Sequence, residues 1–205
     1  KIQTLMKKIL IICFSLVFTI PIFSQKRDIT LDDLWKNYAF YPKSMGGFNS
    51  MNDGKHYSTI KQTKNGQEII KYQFKNGKKV RTLFKSDDFE IPKIGKYSFS
   101  KNEKQLLLAT ETKSIYRYSS KSVYYIYNIH TDKITKLSDK KVMYATFSPN
   151  GDKIAYVLDN NLFIKDIKSE IITQVTNDGK KNHIINGASD WVYEEEFALV
   201  RSFEW

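Results

Sequence analysis

The chain has 205 residues, 41% hydrophobic and 14% aromatic, which suits one domain with a core or a piece of something larger and excludes intrinsic disorder. Its formal net charge of +11 raises the question of a nucleic-acid partner. The lysines are spread along the chain, often at turns such as Asn76-Gly77-Lys78-Lys79, and no nucleic-acid-binding motif accompanies them, so a solvated basic surface is the better reading.

Residues 1–25 read as a secretory signal peptide, with the true start at Met6. Lys7 and Lys8 form a positive region, and residues 9–20 are an apolar run of twelve. Pro21 breaks the run, and Ser24 offers a small residue for cleavage, so the mature chain is expected to begin near Gln25. Counted to Phe23 the apolar stretch reaches fifteen residues, short of the roughly 20 that a membrane span needs, which makes an uncleaved anchor the alternative. The only cysteine, Cys13, lies within this run, so the mature chain has no disulfide framework, Cys-based metal site or Cys nucleophile.

From residue 48 the chain repeats. Phe48, Phe99 and Phe147 each precede a polar turn and a hydrophobic strand, and Lys55, Lys104 and Lys153 lie 49 residues apart. Each copy continues as an apolar strand, a turn and a shorter strand: residues 69–74 with 76–84, 123–128 with 131–137, and 162–167 with 171–176. Asn, Asp and Gly punctuate the strands. Four short antiparallel strands at a period near 50 predict β-propeller blades. The fold class is therefore all-β: about three four-stranded blades over residues 26–205, with Phe203-Glu204-Trp205 at the start of a fourth copy. A β-sandwich also shows short strands and turns, but the regular spacing favours the propeller. An open, apolar blade face is expected, because a blade cannot bury both faces alone.

One segment departs from the repeat. Asp190 is placed to cap a short helix carrying Glu194, Glu195 and Glu196. Adjacent carboxylates repel and invite a cation. Trp191, Tyr193 and Phe197 bracket them and are expected to pack the segment against the body. Carboxylates so fixed would receive a positive group such as a peptide's amino-terminus, whose pKa is about 7.7–8.0. An exposed acidic face is the plain alternative.

The string Asp190-Trp191-Val192-Tyr193-Glu194-Glu195-Glu196-Phe197, after Ile185-Asn186-Gly187, resembles the signature of the dipeptidyl peptidase IV family in the prolyl oligopeptidase superfamily. Ile29-Thr30-Leu31-Asp32-Asp33-Leu34 is similar to the family's lead into the first blade, and residues 147–156 to one of its blade strands. The resemblance implies that Glu195 and Glu196 bind a substrate's ammonium, with Glu194 structural. It implies that Arg117, in Tyr116-Arg117-Tyr118-Ser119, hydrogen-bonds a substrate carbonyl, although its flanks depart from the best-known members. It further implies an eight-bladed propeller, a homodimer when full length, no cofactor, no metal, and release of Xaa-Pro or Xaa-Ala dipeptides from free amino-termini by an exported, periplasmic or extracellular enzyme.

The family's nucleophile lies in a G-x-S-x-G elbow on a downstream α/β-hydrolase domain, and these residues contain no such elbow. His56, His130 and His183 have no credible Ser or Asp partner, so no catalytic residue is expected here. A non-catalytic peptide- or protein-binding propeller is the competing reading.

Overall fold

The computed structural model describes residues 28–42 and 46–205. The expected signal segment, its start at Met6 and its cleavage point lie outside the described residues. The chain divides into two compact units, Lys1–Ser44 and Met45–Trp205. In the first, helix α1 spans Leu31–Trp35 behind a reciprocal cap. Asp33 N donates to Thr30 Oγ1 at 3.1 Å, and Thr30 N returns a bond to Asp33 Oδ2 at 3.2 Å, satisfying two amides that the first turn leaves free.

The second unit holds three four-stranded antiparallel sheets, each a meander in sequence order. The first contains β1 (Asn49–Ser50), β2 (His56–Gln62), β3 (Gln67–Gln73) and β4 (Lys79–Lys85). The second contains β5 (Ile94–Phe99), β6 (Gln105–Ser114), β7 (Ser120–Asn128) and β8 (Lys133–Lys136). The third contains β9 (Met143–Phe147), β10 (Lys153–Leu158), β11 (Asn161–Asp166) and β12 (Ile172–Gln174).

The same turn opens each sheet. Met51, Ser100 and Ser148 donate their amides to the carbonyls of His56, Gln105 and Lys153 at 2.9, 3.0 and 2.8 Å. Asp53, Asn102 and Asn150 accept from the amide two residues on, and Gly54, Glu103 and Gly151 take the left-handed conformation. The structural period is therefore 49 residues, then 48. Lys153 consequently matches Gln105 rather than Lys104, and Ser50, not Phe48, stands level with Phe99 and Phe147. The three segments are equivalent as expected; the exposed lysines drift by one position because the backbone turn, not the lysine, sets the register.

The sheets stack face to face. Leu106 and Leu108 of β6 join Ile69, Leu83 and Phe84 in a core between the first two sheets. Leu107, pointing the other way, joins Ile126, Leu137, Val142, Ile154 and Tyr156 between the second and third. This explains why β6 reads Leu-Leu-Leu instead of alternating: a strand buried on both faces needs apolar side chains on both. Each fully buried Leu contributes roughly 1.5–3 kcal/mol.

After the third sheet, β13 (Gly187–Ala188) pairs antiparallel with β14 (Arg201–Ser202), and helix α2 (Trp191–Phe197) is inserted between them. β14 is fastened to the third sheet by Arg201, which donates to Thr146 Oγ1 at 3.0 Å. Phe203, Glu204 and Trp205, expected as the entry to a fourth copy, follow β14 without a strand of their own, and Trp205 Nε1 donates to Thr146 O at 3.4 Å.

Candidate functional site

Helix α2 forms where the sequence predicts it. Asp190 is extended, at φ −78° and ψ 177°, and its carboxylate accepts from Tyr193 N at 3.0 Å. Ala198 ends the helix in the left-handed conformation. The turn axis sends the three consecutive glutamates in different directions, so they differ sharply in environment.

Glu194 is turned inward, with 0% exposure. One carboxylate oxygen accepts the amides of Tyr118 at 2.6 Å and Ser119 at 2.9 Å, and the other accepts the Ser119 hydroxyl. Burial pushes its pKa up, but the Ser119 hydroxyl and the two amides outweigh burial and hold the carboxyl below its usual range. Ser119 Oγ also lies 2.6 Å from Tyr144 OH. Because the Ser119 proton goes to the carboxylate, the Tyr144 hydroxyl donates to Ser119. Tyr144 sits at a bulge in β9 with φ +55°, a conformation costly for an aromatic residue. Bulges of this kind re-aim a side chain, here toward the Ser119 hydroxyl.

Glu195 points to Arg117, whose Nε lies 3.1 Å from Glu195 Oε2. Arg117 is 67% exposed and Glu195 only 20%. Glu196 is exposed and makes no ion pair among the described residues. Arg117 rides at the tip of the β6–β7 hairpin, on a loop of residues 115–119 closed internally by one bond, Ile115 N to Ser119 O at 2.8 Å. The structure thus joins Arg117 and Glu195 directly and leaves Glu196 beside them on the helix. Beside the loop opens a cleft of about 560 Å³ lined by Tyr118, Tyr124, Tyr144, Arg201 and Glu204, among others.

The bracketing aromatics do not restrain the helix as expected. Trp191, Tyr193 and Phe197 are each more than half exposed. The restraint comes instead from the buried Glu194 carboxylate, whose partners lie about 75 residues earlier in the chain. Sequence reasoning gives Ser119, the last residue of the Tyr116–Ser119 stretch, no role of its own, and misses Tyr144, because a tyrosine in a strand carries no signal of its own.

Residues 100–205 match the family described as the dipeptidyl peptidase IV (DPP IV) N-terminal region. The chain is 36% identical over 133 residues to a Chaetomium globosum protein named "Probable dipeptidyl-aminopeptidase B", covering 61% of this chain and 14% of that one. It is 35% identical over 129 residues to the inactive dipeptidyl peptidase 10 of Mus musculus, covering 60% and 16%. A crystal structure of Porphyromonas gingivalis dipeptidyl peptidase 4 superposes with a TM-score of 0.76 at 38% identity, covering 87% of this chain and 26% of that one. The chain therefore spans between 14% and 26% of the length of these relatives.

Proposed function

The chain belongs to the dipeptidyl peptidase IV N-terminal region family, and on that premise we propose that it is the substrate-binding portion of an eight-bladed propeller in an exported serine exopeptidase. That enzyme releases Xaa-Pro or Xaa-Ala dipeptides from free amino-termini, acts as a homodimer in the periplasm or outside the cell, and carries its nucleophile on a downstream α/β-hydrolase domain.

The observation that carries the reading is the grouping of Arg117 with Glu195 beside a free Glu196. Glu195 already has a cation partner, so Glu196 supplies the uncompensated charge. An incoming ammonium balances it while reaching both carboxylates through charge-assisted bonds. Arg117 uses Nε toward Glu195, and its terminal nitrogens make no hydrogen bond among the described residues, so they are available to a substrate carbonyl. Fixing the terminus fixes which peptide bond reaches a nucleophile, the positional logic of a dipeptide-releasing enzyme.

The test is kcat/KM for Gly-Pro p-nitroanilide in the full-length protein. Glu195→Gln and Glu196→Gln each remove a charge-assisted bond of about 1.5–3 kcal/mol and lower kcat/KM by roughly one to two orders of magnitude. The Glu196 loss is at least as large as the Glu195 loss, and the amino-acetylated substrate is turned over poorly by every variant. Full activity in both well-folded variants would reduce the acidic run to a solvated face.

The similarity to a relative named inactive favours a second reading, a peptide-binding propeller without catalysis. Binding of free-amino peptides by the full-length protein without release of product would select it.

A further inference from the structure

The exposed ion pair between Arg117 and Glu195 cannot hold the site together by itself, since pairs in contact with water are worth about 0–1 kcal/mol. The hairpin tip that carries Arg117 stands beyond the ladder: β6 and β7 pair last at Ser114 and Ser120. Tyr116 and Tyr118 on it are both exposed, so side-chain burial does not fix it. A tip with one internal bond and no buried apolar side chain belongs to the easily opened part of a fold.

What fastens it is the carboxylate of Glu194. Both amides following Arg117, those of Tyr118 and Ser119, end on one carboxylate oxygen, and the Ser119 hydroxyl ends on the other. Ser119 in turn receives Tyr144 OH at 2.6 Å from the bulge in β9. Three separate pieces meet at this point: helix α2, the hairpin tip of the second sheet and the edge strand β9 of the third. The same residue that faces away from the site lies one position before Glu195 on the helix. Moving it moves Glu195 and Arg117 relative to one another.

We propose that Glu194, through Ser119 and Tyr144, is a positioning residue that sets Arg117 against Glu195 and so preorganises the ammonium and carbonyl contacts. The inference rests on the clamp reading given above. A carboxylate suits the task because it offers acceptors in two directions and no donor, matching the three donors directed at it. Glutamine keeps an oxygen for the two amides but presents an NH₂ to the Ser119 hydroxyl, which can accept it; alanine leaves the amides without a partner.

The experiment measures binding of valyl-pyrrolidide, which has a free ammonium, a carbonyl and no scissile bond, to the full-length protein. Glu194→Ala raises Kd roughly tenfold, and Glu194→Gln restores most of the affinity. Ser119→Ala, which leaves the Glu194 amide bonds in place, raises Kd by roughly threefold and serves if Glu194→Ala does not fold. The deciding measurement repeats these variants in an Arg117→Ala background. A residue that acts by placing Arg117 loses most of its effect there, while its effect on thermal stability persists. Equal losses of affinity in both backgrounds overturn the proposal and make Glu194 a support of the helix alone. Glu195→Gln and Glu196→Gln run in parallel: if they weaken binding and the Glu194 effect does not depend on Arg117, only the proposal fails. If neither weakens binding, the clamp reading fails and takes the proposal with it.

Discussion

Replacing Gly187 by alanine tests whether the insertion that carries the glutamates is locked onto the third sheet. Gly187 opens β13 at φ +76°, where an L side chain costs roughly 1–2 kcal/mol. A Cβ there would stand 2.7 Å from Val157 Cγ2 and 3.4 Å from both Leu162 Cδ1 and Phe203 Cδ1. Val157 is 1% exposed and cannot step aside without disturbing β10, so overpacking adds roughly 1–3 kcal/mol. The unfolded chain loses entropy with alanine, which gives back about 0.4–1 kcal/mol. The net loss expected is about 1–4.5 kcal/mol. Gly77→Ala is the control: its φ is +65°, but a Cβ there meets nothing within 4 Å, so only the conformational cost remains. Urea denaturation of the two variants, with far-UV circular dichroism as the signal, separates the contributions. Equal destabilisation by both substitutions would refute the close-approach argument.

Two further outcomes are expected. Glu194 has a folded pKa below its ordinary value of 4.5, so the unfolded chain binds the proton more readily. Its contribution to stability is fully present above about pH 4.5 and is lost as pH falls through the lower folded value. Asp53 and Asp166 are also depressed and act in the same direction, so the diagnostic is a difference: between pH 6 and pH 3 the Glu194→Gln protein loses less stability than the parent. A parallel decline in the two would argue against the tether's charge. Export is checked separately by amino-terminal sequencing of protein secreted by an exporting host, with Gln25 or a close neighbour expected first and a retained segment from Met6 indicating an anchor.

The repeat was legible because its turns are written in residues with one conformational job. Asp53-Gly54, Asn102-Glu103 and Asn150-Gly151 each combine a side chain that caps a turn with a left-handed residue. The finer register was not, for two reasons. Lysine at a turn exit is solvated and tolerates a shift of one. Phe48, two residues ahead of the position held by Phe99, keeps the same face of a strand, so alternation alone cannot tell the two placements apart. The helix was legible from Asp190, whose cap acts locally. Which glutamate is buried, and by what, depends on Tyr118, Ser119 and Tyr144, which helix α2 meets only after the second and third sheets have stacked.

The hairpin of β13 and β14 brings Ala188 opposite Arg201, so residues 189–200 leave and rejoin the body at one point. Such a stem makes the acidic helix an exchangeable head: its sequence can be swapped without touching a ladder. The exchange has a hidden dependency, however. A transplanted head would arrive with its carboxylates but without Tyr118, Ser119 and Tyr144, which stay behind on the second and third sheets of this protein. Grafting this recognition element into another propeller therefore requires moving two matched parts, the head and its socket, and a library that varies only the head would sample mostly heads that are present but misaligned.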